Sequence, residues 1–557
     1  MGMVSGGELV VRTLMKAGVK DIFALHGAHL ESIFQSCLGH GLPILDVRHE
    51  VAAGHAAEGY ARAGRTLGVA MATAGPGFTN IVSSIANAYL DRTPVLYIAG
   101  SAGTRDAETS TLQAGIDQVA IATPITKWAH RVQNTADIPR LVAHAIRLAT
   151  SLPGGPVLLD FPSDVLNAQV DEDTVRIPDT IVLHAAPSPS AEQVEQALDI
   201  LMKAERPVIM AGVGAFQSGI TDELLEFVQA TGIPVFTDFA AHGLIPSSHP
   251  ASGGTFHKMD DLKSVGCEPD AVLALGVRFG LFTLGAGARL APLSARLIHV
   301  EIDPKEIGRL RDVELPIVAC PRAFLKAAIP AAQADRPWKD LRPLQEKIHQ
   351  MRLARLEKER EGLDRAAPPI HPIQAVKAIA DHIPAGTIVV GDGAEAYHWM
   401  NEVIAQEEPA SYITHGFLGC VGFGLGLSLG VQTARRDKPV LLLVGDGAVG
   451  FTIAEFDTLA RHNLPVVAVV MNNHSWAASQ HFQEMVSGAN HVIGTRLGDA
   501  RYHDVAAAFG CKGVHITQIE DLGPAIRTAF ESGLPTCINV EIDLKPMPPE
   551  LHMLMTR

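Results

Sequence analysis

The stretch Val440–Ser475, VLLLVGDGAVGFTIAEFDTLARHNLPVVAVVMNNHS, limits the possible folds more than any other part of the chain. One apolar run, Val440 to Val444, ends in Gly445-Asp446-Gly447, and a second, Val466 to Met471, ends in Asn472-Asn473. Both are short, rich in β-branched residues or Leu, and bounded by Gly or Pro, the pattern of buried parallel strands. The whole unit has the length of a βαβ crossover, about 30 residues. A right-handed crossover brings both strand ends to one sheet edge, where open α/β sheets bind ligands. Asp446 and Asn473 are therefore expected side by side. A carboxylate and an amide oxygen are hard donors that suit Mg²⁺, which keeps few protein ligands and completes its octahedron with phosphates. Gly445 and Gly447 leave the backbone open to a phosphate. A plain strand-end turn followed by an Asn helix cap is the competing reading of the same residues.

The same order of elements occurs earlier. GVAMATAGPGFTNIVSSIANAYLDRTPVLYIAG runs strand, Gly-x-Gly, Phe-Thr, helix, Pro, strand at nearly the same spacing as the 440–473 unit. Two domains of one fold are the implied source, with chance similarity between βαβ units as the alternative. Alternation of helices and strands continues through residues 190–335, with strands expected at Pro207–Ala211, Pro234–Thr237, Ala271–Leu275 and Leu297–Ile302. Gly212-Val213-Gly214 there reads as a tight strand–helix turn, since a lone Gly-x-Gly is weak evidence for a nucleotide. The charged helix Leu344–Glu361 reads as a solvated face. The resulting fold class is α/β, with three open parallel-sheet domains at 1–182, 190–335 and 365–557.

A net charge of −15 argues against nucleic-acid and anionic-membrane partners. No apolar run reaches the roughly 18 residues of a membrane span. Six scattered cysteines, with no Cys-x-x-Cys pair, point to reduced thiols and a cytoplasmic setting.

Gly-Asp-Gly followed after 24 residues by Asn-Asn resembles the diphosphate–metal motif of thiamine diphosphate enzymes. The resemblance implies thiamine diphosphate and Mg²⁺ as cofactors, with the metal held by Asp446, Asn473 and the backbone carbonyl of Ser475. It implies that the two echoing domains bind the pyrimidine and the diphosphate. Gly445 and Gly447 would face the diphosphate, Gly393 and Gly419 the aminopyrimidine, and Val421 the bend of the cofactor. Glu50, after a strand and before the helix AAGHAAEGYARAG, matches the glutamate that binds a pyrimidine nitrogen and drives the ring to its imino form. On position alone Glu50 would be a helix N-terminal acid. In the family this glutamate serves a cofactor held by the partner subunit, so a homodimer at least, and usually a homotetramer, is implied. The middle domain binds FAD in acetohydroxyacid synthases. Gly276-Val277-Arg278-Phe279-Gly280 resembles part of that flavin segment, but the acidic residues that should follow are missing, so no FAD is expected.

Within the family, phrases such as GGELVVRTL, LHGAH, LQAGIDQVA and PITKWAHRV resemble the benzaldehyde lyase branch. That likeness implies cleavage of benzoin-type 2-hydroxy ketones to aldehydes, and ligation in reverse. His29 would relay a proton at the substrate hydroxyl and Gln113 would hold the oxygen of the intermediate, beside the catalytic Glu50. The pocket would be lined by His26, Ala28, Ser163, Ala394, Tyr397, Ala478 and Phe482. Ser163 and Tyr89 stand where that branch carries tryptophan, and His398 where it carries leucine, which implies a wider or more polar pocket. A 2-oxo acid decarboxylase or an acetolactate synthase-like carboligase is the alternative.

Overall fold

A computed structural model describes residues 2–106, 109, 111–182, 186–280, 291–334, 336–365, 368–414 and 416–555. Residues 335 and 557, where two expected boundaries fall, lie outside them. Three six-stranded sheets, each parallel throughout, lie within residues 22–162, 207–318 and 388–541. Their central strands are buried on both faces, as helix-covered parallel sheets require, while edge strands such as Trp128–Arg131 and Lys512–Ile516 are partly exposed.

Numbered within its own domain, the first sheet runs 2-1-3-4-6-5, and the third sheet has the same order. The repeated βαβ unit is thus one piece of a repeated domain. The middle sheet runs 3-2-1-4-5-6, the order of dinucleotide-binding domains. Its Gly212-Val213-Gly214 is a tight turn: a Cβ on Gly276 would come 2.4 Å from the Ala215 nitrogen, so the glycines serve backbone packing. Sequence reading missed the strands Ser252–Thr255 and Leu315–Val318. The first is Gly- and Ser-rich and the second carries Pro316, so neither has a β-branched apolar run to reveal it.

The first and third domains join through two small-residue helices, Glu50–Gly64 and Gly424–Ala434. A Cβ on Gly430 would lie 1.8 Å from the Ala56 carbonyl oxygen, and one on Gly59 would lie 2.2 Å from that of Leu427. Only glycine permits this approach. Glu58, fully buried in the same helix, accepts two hydrogen bonds from Asn87 Nδ2 at 2.9 and 2.8 Å. The Ala-rich sequence is therefore that of an interdomain helix.

The charged segment differs from expectation. It forms Arg342–Lys358 and Arg360–Leu363, and its charge is not simply solvated. Arg355 forks onto Glu402 at 2.8 and 2.7 Å and reaches Asp261 at 2.7 Å. The helix thereby pins the middle domain to the third, a tertiary role that charge periodicity does not reveal. The six cysteines are free thiols, and no described helix is long and apolar enough to cross a membrane.

Candidate active site at two sheet edges

The strands Val440–Gly445 and Val467–Asn472 are hydrogen-bonded neighbours, with Gly445 opposite Met471. Asp446 and Asn473 each lie one residue past a strand end, on the carboxyl edge of the sheet. Asp446 is buried, its Oδ1 accepts the Gly447 N–H at 2.9 Å, and its Oδ2 has no partner. Burial raises its carboxyl to about 6. An orphaned buried carboxylate oxygen is costly unless something fills it. The Asn473 side chain folds into an Asx turn, Oδ1 accepting the Ser475 N–H at 3.2 Å. The oxygen keeps a second lone pair. Among the described residues no group of three or more His, Cys, Asp or Glu side chains is placed to hold a metal ion. One carboxylate, one amide oxygen and one backbone carbonyl fit a hard cation whose other ligands come from a diphosphate.

The two glycines of this turn differ. A Cβ on Gly447 would come 2.6 Å from the Trp476 ring, whereas Gly445 has open space. Gly393, with φ 93°, begins the neighbouring helix Ala394–Val403, and a Cβ there would lie 3.3 Å from the Gly445 nitrogen. Gly419, with φ 68°, and Val421 sit on an exposed loop. Asp392 holds that loop to the sheet: Oδ1 accepts the Gly422 N–H at 3.1 Å and Oδ2 the Gly424 N–H at 2.8 Å. Burial lifts this carboxyl too, to about 6. Sequence reading assigned Asp392 no role. Its signal was a second Gly-Asp-Gly, Gly391-Asp392-Gly393, at a strand end.

The first domain presents the matching edge. Glu50 is the first residue of its helix, buried, with Oε2 accepting the Asn80 amide at 3.0 Å. Gly77 leaves space above it: a Cβ there would lie 3.5 Å from Glu50 Oε1. His29 lies in the short turn Ala28–Leu30, with Nδ1 3.0 Å from Thr73 Oγ1, and burial lowers its pKa. Gln113 adopts φ 64°, with its backbone packed over Gly75. Gln118, not singled out from sequence, braces this edge: its Oε1 accepts the Gly75 N–H at 3.0 Å, and its Nε2 donates to Asp160 at 2.8 Å.

The pocket candidates divide. Ser163 opens the helix that follows the strand Val157–Pro162 on the His29 edge. Ala28 is exposed, and His26 makes a half-exposed pair with Glu31 at 2.8 Å. Ala394, Ala478 and Phe482 flank the Asp446 turn on two helices. Tyr397 is placed apart from these. It is buried against Phe239, ring centroids 5.6 Å apart, on the wall of an interdomain cavity of about 480 Å³.

Family models match all three domains. The N-terminal thiamine pyrophosphate-binding domain of thiamine pyrophosphate enzymes matches residues 4–121, the central domain 194–328, and the C-terminal thiamine pyrophosphate-binding domain 392–540. A probable acetolactate synthase of Mycobacterium bovis is 32% identical over 96% of this chain and 95% of its own length. The chain belongs to the thiamine pyrophosphate enzymes. The large subunit of acetolactate synthase isozyme 2 from Escherichia coli is 31% identical over 97% of this chain and 96% of its own length. A probable acetolactate synthase large subunit of Methanococcus aeolicus is 28% identical over 97% and 92%. Thiamine pyrophosphate (thiamine diphosphate) is the cofactor of this thiamine pyrophosphate enzyme, and Mg²⁺ is the family's usual partner metal. These relatives do not support the benzaldehyde lyase likeness as such. They side with the alternative, an acetolactate synthase-like carboligase.

Proposed function

We propose that this thiamine pyrophosphate enzyme is a carboligase that forms, and in reverse cleaves, the carbon–carbon bond of a 2-hydroxy ketone. The observation that carries the reading is the pair of adjoining strand tips with an unpartnered, buried Asp446 oxygen between them. Bound at that edge, thiamine diphosphate with Mg²⁺ supplies an acyl-anion equivalent. Asp446, Asn473 and the Ser475 carbonyl hold the metal, and Gly445 leaves the backbone open to the diphosphate, while Gly447 makes room for the Trp476 ring. Gly393, Gly419 and Val421 support the other end of the cofactor. Glu50, brought by a second copy, binds the pyrimidine nitrogen, so the working unit is a homodimer or a homotetramer. His29 has its Nδ1 occupied by Thr73, and its lowered pKa keeps the ring neutral near pH 7, suited to accept and return a proton at a substrate oxygen. The Gln113 amide donates to that oxygen.

Two acyl donors fit this chemistry. A 2-oxo acid that loses carbon dioxide is supported by the names of the relatives, matched over nearly the whole chain. An aldehyde, or an acyloin cleaved to aldehydes, is supported by the charge of the pocket. Among the described residues, the side-chain hydrogen-bond partners of His26 and His29 are Glu31 and Thr73, and neither would receive a carboxylate. Purified enzyme loaded with thiamine diphosphate and Mg²⁺ is to be given pyruvate, benzoylformate, benzoin and acetoin separately. Carbon dioxide release assigns the 2-oxo acid donor, and aldehyde release from an acyloin assigns the lyase. Turnover of none of them rejects the carboligase.

A further inference from the structure

Two helices begin on either side of the Gly445-Asp446-Gly447 turn. Gly393, before Ala394–Val403, packs against Gly445, and Trp476, before Ala477–Ser487, packs against Gly447. The helices meet through Glu395 and His481. His481 Nδ1 lies 2.7 Å from Glu395 Oε1, and its Nε2 lies 2.9 Å from the Leu544 carbonyl oxygen. Both side chains are largely buried, at 5% exposure for His481 and 12% for Glu395. No cofactor or metal role has been assigned to either. They sit on the helices that carry Ala394, Ala478 and Phe482.

The protons of this pair can be counted. A carbonyl only accepts, so Nε2 must carry a proton. The neutral ring then has a bare Nδ1, and a 2.7 Å approach to a carboxylate oxygen needs a proton between them. The pair is imidazolium with carboxylate, or imidazole with carboxylic acid. It is net neutral in both forms, as burial demands. In both forms Oε1 and the ring are occupied, and Glu395 Oε2 keeps its lone pairs. Oε2 makes no hydrogen bond among the described residues.

We propose that Glu395 Oε2, held by His481, is the specificity-determining acceptor for a hydroxyl group on the substrate, selecting hydroxyaldehydes over unhydroxylated aldehydes and over 2-oxo acids. The proposal rests on the carboligase reading. A hydroxyl donates to Oε2, whereas a carboxylate brings only lone pairs against lone pairs. Selection by such an acceptor is strong because a bound substrate that lacks the hydroxyl takes water away from the carboxylate oxygen and leaves it unpaired.

Acetaldehyde and glycolaldehyde differ by one hydroxyl and make the test, with holoenzyme of wild type, Glu395→Leu and Glu395→Gln. The ratio of kcat/KM for glycolaldehyde to that for acetaldehyde is expected to fall about tenfold or more in Glu395→Leu, with acetaldehyde itself changed less than about threefold. Glu395→Gln can donate its amide to Nδ1 and leave its oxygen in place, so it retains the ratio within about threefold. Nitrogen NMR of the histidine rings, independent of turnover, is expected to show His481 Nδ1 sharing a proton in wild type and bare in Glu395→Leu. An unchanged ratio in Glu395→Leu, or an equal loss for both aldehydes, overturns the proposal and leaves the carboligase reading intact. A wild type that consumes pyruvate but neither aldehyde also overturns it. A wild type inert toward pyruvate and both aldehydes overturns the carboligase reading itself.

Discussion

In the proposed site, Asp446 is the side chain on which cofactor retention turns. Asp446→Ala removes the proposed direct metal ligand, so Mg²⁺-dependent binding of thiamine diphosphate, read by calorimetry, is expected to weaken by more than the roughly 10–100-fold that losing an outer partner costs. The raised pKa of Asp446 gives a pH dependence with a definite sign. In the unfolded chain the carboxyl ionises near 3.8, and in the metal-free fold it ionises at about 6. Between these values the fold holds a proton that the unfolded chain releases, so this group's contribution to metal-free stability falls as pH rises through that window. The metal needs the ionised form. The increase in Tm on adding Mg²⁺ and cofactor is therefore expected to grow as pH rises through about 6 and to shrink below it, as a scan of metal-loaded against metal-free protein would show. Glu50→Gln keeps the size of the side chain and its contact with Asn80 but removes the ionisable group. Turnover is expected to drop roughly 10²–10⁴-fold with little change in Tm. An unchanged turnover would remove Glu50 from the reaction.

At the scale of elements, the contact between Glu50–Gly64 and Gly424–Ala434 sets how the first and third domains of one chain sit together. Gly430→Ala would drive a methyl group to 1.8 Å from the Ala56 carbonyl oxygen. Backbone cannot yield as a flexible side chain does, so a loss of about 1–3 kcal/mol is expected from denaturant unfolding. Gly445→Ala, in open space, is the control expected to leave stability nearly unchanged. These elements were legible to unequal degrees. The 440–473 unit declared itself because two apolar β-branched runs and a Gly-Asp-Gly turn all agree on one answer. The strand Leu315–Val318 did not, because a Pro in a four-residue edge strand looks like a loop. The pairing of Arg355 with Glu402 and Asp261 joins residues far apart in the chain, so a helix-face pattern could not show it.

At the scale of the whole molecule, apolar side chains stand exposed around the diphosphate edge. Val421 is 38% exposed, Phe482 50% and Phe451 65%, and Phe451 packs beside Gly422 and Trp476. A neighbouring copy that brings its Glu50 edge would cover them. The chain is expected to sediment as a dimer or larger, and Phe451→Glu is expected to shift it toward monomer with activity falling in parallel. A fully active monomer would show that one chain completes the site alone.

Residue order alone determined the alternation of helix and strand, the repeated βαβ unit, and the carboxylate and amide at adjacent strand tips. Those features follow from local periodicity and from the fixed hand of the crossover. Tertiary structure alone decided that the Asp446 Oδ2 lies buried without a hydrogen-bond partner, that Asp392 holds the Val421 loop, and that His481 Nδ1 meets Glu395 Oε1 at 2.7 Å. Each of these is a contact between segments whose separation is set by sheet order and domain packing, and neither of those is written in the spacing of residues along the chain.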